Sequence, residues 1–152
     1  MNKYQFSHFS IDWILVDELA IGPAPKKEKH LDILENSNIK SILILCSPDE
    51  SQPPTNMSSR FICKRSILPD HSYGRDPTLE ELKNALNTLI SLTSLGPVFV
   101  HCLAGVERSP LVCISYLVQE RRIPLDKALD YVMQVHPGTS PLSSQLNIIK
   151  NL

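Results

Sequence analysis

Two apolar runs constrain the fold of this chain more than any other feature: IKSILILC at residues 39–46 and VFVHC at 98–102. Neither alternates polar with apolar residues, as a strand with one wet face would, and both are too short for an ordinary buried helix. They read as strands covered on both faces, the setting of a parallel sheet packed between helices. The flanking segments supply those helices. TLEELKNALNTLISLTSLG spaces Leu79, Leu82, Leu86, Leu89 and Ile90 for one face and stops at Gly96 and Pro97. KKEKHLDILENSN puts Leu31, Leu34 and Ile33 on a buried side and ends at Asn36 to Asn38. SPLVCISYLVQER is a helix that is apolar around most of its circumference, and PLDKALDYVMQVHP and PLSSQLNIIKNL are two more. IDWILVDELAIGPAP predicts one or two short strands and RFICKRSIL another, while SPDESQPPTNMSS and PDHSYGRDP read as loops. The expectation is an α/β fold with a central, mostly parallel sheet flanked by helices, as one domain over residues 1–152.

Composition mainly excludes. A net charge of −1 offers no general attraction to nucleic acid or to an anionic membrane, so neither is an expected partner. The segment MNKYQFSHFSIDW lacks the apolar core of a secretion signal, and nothing approaches the ~18 apolar residues of a membrane span. Cys46, Cys63, Cys102 and Cys113 show no CxxC spacing and no paired histidines, so zinc is not expected; free thiols in a reducing cytoplasm are. A monomer is the expectation.

The chemistry concentrates at HCLAGVERS, residues 101–109, between the carboxyl end of a strand and the amino end of a helix. Open α/β sheets place ligands at such points. A turn there aims successive backbone N–H groups inward and the helix dipole adds positive potential, so the loop can cradle an anion. Gly105 permits backbone angles or a close approach that a Cβ would block. Arg108 supplies a planar fork for two phosphate oxygens. Cys102 lies at the floor of the same potential, which favours a thiolate. The other three cysteines have Gln52, Pro69 and Gln119 at the six-residue offset, so Cys102 alone has an arginine there.

This segment resembles the HCxxGxxRS signature of the cysteine-dependent protein tyrosine phosphatases, and the chain's length resembles their small dual-specificity branch. The resemblance implies that Cys102 is a nucleophile forming a phosphocysteine, that Arg108 binds phosphate and the transition state, that the backbone amides of Leu103, Ala104, Gly105, Val106, Glu107 and Arg108 form the cradle, that Ser109 stabilises the departing thiolate, and that His101 holds the loop. It implies no cofactor. In LPDHSYG, Asp70 matches the aspartate of the family's mobile WPDHG loop, with leucine in place of tryptophan, and would protonate the leaving group and then deprotonate water. Asp76 is the rival, but DPTLEE reads as a helix start with Asp76 capping and Thr78 with Glu81 as a capping box. His71 and Arg75 read as solvated loop residues. HPGTSPLSSQL resembles the segment before the family's last helix.

Two departures bear on the substrate. Glu107 puts a carboxylate beside a site for dianions, so it is expected at the rim or paired with a cation. The loop also lacks the lysine common in phosphoinositide-hydrolysing relatives. No counterpart of the tyrosine-bearing loop that deepens the classical pocket is present, which implies a shallow pocket open to phosphotyrosine and to phosphoserine or phosphothreonine. The expected activity is metal-independent hydrolysis of a phosphorylated protein or peptide. The alternatives are a phosphatase for a lipid, glucan or RNA 5′ end, and a catalytically silent phosphate-binding module. Comparison with relatives also places Cys46 near Cys102, with Cys63 a second candidate for a reversible disulfide, although a small buried hydrophobe describes Cys46 as well. His30 and His136 read as surface or helix-end residues, His8 as part of a loose terminus, and Cys113 and Trp13 as core.

If Asp70 is the acid, Asp70→Asn lowers turnover on an unactivated ester by about 10²–10⁴-fold while Asp76→Asn mainly lowers stability. Equal losses of turnover in the two variants, measured by steady-state kinetics, would reverse the assignment.

Overall fold

The computed structural model describes residues 9–152; the readings at positions 1–8, His8 among them, lie outside the described residues. Strands β1 (Asp12–Leu15), β2 (Leu19–Gly22), β3 (Ser41–Ile44), β4 (Ile62–Arg65) and β5 (Val98–His101) form a five-stranded sheet in the order β1-β2-β5-β3-β4. Only β1 runs antiparallel; β2, β5, β3 and β4 are mutually parallel. The two apolar runs, β3 and β5, lie side by side, with β5 central and every residue of both buried. The more polar β4 is an edge strand with two exposed cationic residues, Lys64 and Arg65.

Among the described residues six helices cover the two faces: α1 (Glu28–Asn36), α2 (Met57–Arg60), α3 (Leu79–Thr93), α4 (Arg108–Glu120), α5 (Leu125–Val135) and α6 (Ser143–Ile149). The pleat divides the core between them. Val98 and Val100 of β5, with Leu43 and Ile21, pack against α3, α4 and α5. Phe99, on the opposite face, joins Ile42, Leu31 and Leu34 against α1 and α2. Fully burying an aromatic side chain of this kind stabilises the fold by roughly 1.5–3 kcal/mol relative to exposure. Helix α4 is buried continuously from Arg108 to Leu117, which accounts for its all-round apolar sequence.

Some local readings change. The loop after β3 contains the short α2. Thr78 caps α3, its side chain accepting from the Glu81 amide, and forms the expected capping box; Asp76 does not cap it. Ile33 is exposed, because the buried side of α1 is made by His30, Leu31 and Leu34. His30 is buried as well, stacked on Phe9 at 4.6 Å, with Nδ1 accepting from the Lys26 and Lys27 amides. Trp13 is half-buried against the Phe99 cluster, and Cys113 is fully buried.

The parallel arrangement has one consequence for function. The carboxyl ends of β2, β5, β3 and β4 open on a single edge of the sheet, so the loops that follow all four strands meet there.

Candidate active site

The loop from Cys102 to Glu107 joins central β5 to the amino end of α4. Gly105 adopts φ +80°, and a Cβ there would lie 2.8 Å from the Gly22 carbonyl oxygen. Both left-handed backbone and close approach therefore require glycine. Three of the loop's carbonyls are held from outside. Leu103 O accepts from Ala24 N at 3.1 Å, Val106 O from Ser140 N at 2.7 Å, and Gly105 O from His136 Nε2 at 2.6 Å. No protein acceptor takes the amides of residues 103 to 107 among the described residues. Carbonyls held outside and amides left free are what an anion cradle needs.

Around this loop the structure gathers the residues singled out from the sequence. Cys102 is buried at the end of β5, and His101 Nδ1 donates to its carbonyl at 2.8 Å. Burial lowers the His101 imidazole to about 4, so it is neutral near pH 7 and holds the loop without titrating. The Ser109 hydroxyl is buried and has no hydrogen-bond partner among the described residues. Arg108 is 3% exposed. Its Nη1 and Nη2 form a fork onto Glu50, at 3.1 and 2.8 Å, and Nη1 also donates to the Leu68 carbonyl at 3.1 Å. The Arg108 bond holds the Glu50 carboxyl below its usual range.

Asp70 comes from the loop after β4 and caps a 3₁₀ turn, His71–Tyr73. Its Oδ1 accepts from the Ser72 amide at 2.9 Å and the Ser72 hydroxyl at 2.5 Å, while Oδ2 stands 3.8 Å from Arg108 Nη2. The Ser72 bonds are the main cause of its lowered carboxyl pKa. Asp76 belongs elsewhere: it accepts from Ser144 Oγ at 3.0 Å, and Arg75 pairs with Glu81 at 2.8 and 3.0 Å. Cys46 and Cys102 are both free and buried, and Cys102 and Glu50 act electrostatically on the Cys46 thiol, which burial pushes up. Cys63 is half-buried on β4, its thiol facing the Met57 carbonyl at 3.8 Å.

Sequence reasoning missed two contributors and misplaced a third. Glu50 lies in a loop with no local signal beyond two adjacent acidic residues. His136 is buried at the end of α5, bridging Asp12 Oδ2 at 2.7 Å to the Gly105 carbonyl. Glu107, expected at the rim or paired with a cation, is buried, and its carboxylate meets Nδ1 of His71 on the Asp70 loop at 2.8 Å.

The family model for the dual specificity phosphatase catalytic domain matches residues 21–151. This chain belongs to that family. It is therefore a phosphatase catalytic domain of the dual-specificity type. Among curated relatives, it is 24% identical over 139 residues to phosphatidylglycerophosphate phosphatase PTPMT2 of Arabidopsis thaliana, covering 91% of this chain and 61% of that protein. It is 46% identical over 111 residues to dual specificity protein phosphatase 1-B of Xenopus laevis, covering 72% of this chain and 28% of that protein. The chain thus spans less than two thirds of these relatives' own length. The solved structure of Tk-PTP in its active form superposes with a TM-score of 0.80 at 23% identity, over 94% of this chain and 95% of that one. PTPMT1 superposes with a TM-score of 0.79 at 22% identity, over 93% and 92%.

Because the Gly105 Cβ position meets backbone, Gly105→Ala distorts the cradle itself. It should weaken binding of inorganic tungstate, measured by calorimetry, by at least about tenfold while the protein stays folded by circular dichroism. Unchanged tungstate affinity would show that the cradle does not depend on this turn.

Proposed function

We propose that this domain hydrolyses phosphomonoesters through a phosphocysteine on Cys102, with phosphotyrosine in proteins or peptides as its main substrate. The single observation that carries the mechanism is the gathering of Cys102, Arg108, Ser109 and Asp70 around a ring of free loop amides. In this reading the phosphate oxygens take the amides of residues 103 to 108 and the open side of the Arg108 guanidinium, opposite its Glu50 fork. The Cys102 thiolate attacks phosphorus, the P–O bond to the leaving group breaks, and Asp70 delivers a proton to the departing oxygen. Water then attacks the phosphocysteine, Asp70 takes its proton, and the S–P bond breaks with Ser109 donating a hydrogen bond to the released thiolate.

Asp70 is ionised in the free site, since Ser72 holds its carboxyl low. A phosphate dianion arriving beside it raises its proton affinity, so substrate binding itself prepares the acid.

The rim supports an aromatic ester. The exposed side chains of the loop include Leu103 and Val106, and Tyr73 is exposed on the Asp70 loop. None of the loop's residues before Arg108 is basic, whereas a polyanionic headgroup would call for cations. One observation favours a second reading: the phosphatidylglycerophosphate phosphatase PTPMT2 matches 91% of this chain, so a lipid phosphomonoester is the rival substrate. Four free cysteines support a reducing compartment, the cytoplasm in this proposal.

The test is hydrolysis of para-nitrophenyl phosphate in EDTA by wild type and Cys102→Ser, followed by substrates compared at equal concentration. The proposal expects activity only in wild type and a kcat/KM for a phosphotyrosine peptide at least about tenfold above that for dispersed phosphatidylglycerophosphate, a phosphoglucan or 5′-phosphorylated RNA. A lipid preference would overturn the protein reading. Folded, reduced wild type without activity would point to a phosphate-binding module.

A further inference from the structure

Glu107 carries a charge that opposes an anion site, yet its carboxylate is turned away from the cradle and fully engaged. Oε1 meets His71 Nδ1 at 2.8 Å, and Oε2 accepts from Gln145 Nε2 at 2.6 Å. Facing a carboxylate, the His71 Nδ1 is the donating nitrogen. One side chain thus joins the amino ends of α4 and α6 to the loop that carries Asp70. Within residues 70–74 the other hydrogen bonds are internal: Ser72 to Asp70 through amide and hydroxyl, and Tyr73 N to Asp70 O at 3.0 Å. Among the described residues, His71 to Glu107 is the hydrogen bond that ties this short segment to the rest of the protein.

We propose that His71 is a positioning residue for proton transfer: by docking on Glu107 it holds Asp70 over the phosphate loop, while Gln145 fixes the Glu107 carboxylate that receives it. This rests on the reading of Asp70 as the general acid. An ion pair whose histidine side chain is 70% exposed adds little to global stability. Holding a short loop docked requires only that the docked form outweigh the open one by about tenfold, and an acid a fraction of an ångström out of place transfers its proton poorly. The charged groups around His71 are Glu107 just before α4, Asp70 on its own loop and Arg108 of α4, the first two favouring the imidazolium and the last opposing it. The hydrogen bond from Glu107 is the largest cause of the raised His71 pKa. The charged dock therefore persists above the usual histidine value of about 6.5 and weakens as pH rises through the raised one.

Leaving-group dependence separates positioning of the acid from a structural role. Phenyl phosphate needs a proton on its departing oxygen; dinitrophenyl phosphate does not. His71→Ala should lower kcat/KM for phenyl phosphate by about tenfold and for dinitrophenyl phosphate by less than about twofold. His71→Asn, whose amide nitrogen can stand in for Nδ1 without charge, should recover most of the loss and flatten the high-pH fall. The double variant Asp70→Asn/His71→Ala should be no slower on phenyl phosphate than Asp70→Asn alone. Equal losses on both esters, or additive losses in the double variant, would overturn the proposal. If Asp70→Asn itself showed no leaving-group dependence, the parent assignment would fail and this inference with it; if Asp70→Asn showed it and His71→Ala did not, only the inference would fall.

Discussion

A guanidinium with almost none of its surface in water has to be paired, and the pairing of Arg108 sets the layout of this site. Leaving such a charge buried and alone costs on the order of 3–5 kcal/mol. Arg108 meets the demand with a carboxylate from the loop after β3 and a backbone carbonyl from the loop after β4, while it sits itself in the first turn after β5. One side chain thereby draws the loops of three adjacent parallel strands to a single point. Because Glu50 takes the fork from one side, the guanidinium is oriented by the protein's own contacts.

Three carboxylates belong to the loops gathered here, and their partners differ. Glu50 is spent on Arg108, and Glu107 on His71 and Gln145. Asp70 has only the neighbouring Ser72 and a looser approach to Arg108 at 3.8 Å. It is the least committed of the three, which suits it to the proton transfer proposed for it. Two of the three acidic residues near the proposed phosphate site are thus held by partners of their own.

What could be read from the sequence was what short-range pattern encodes. The uninterrupted apolar runs located the two central strands, the leucine spacing located α3, and Thr78 with Glu81 located its start. The order Cys102, Gly105, Arg108 located the cradle because strand, turn and helix dipole act within a few residues of one another. The partners that steady the site are long-range. Glu50 reaches Arg108 across 58 positions, His71 reaches Glu107 across 36, and His136 reaches Gly105 across 31. Nothing local distinguishes Glu50 from Asp49, or a buried helix-end histidine from a solvated one. Asp76 shows the converse: a plausible local capping signal gave way to a contact with α6 that no local rule contains.

The central claim is that Cys102 carries the phosphoryl group during turnover, and rapid acid quench of the reacting enzyme followed by peptide mass spectrometry tests it most directly. Phosphate is expected on the peptide containing Cys102, on the cysteine sulfur, appearing within the first turnover and absent from Cys102→Ser. Steady turnover with no covalent phosphate on that peptide, or with phosphate on another residue, would contradict it.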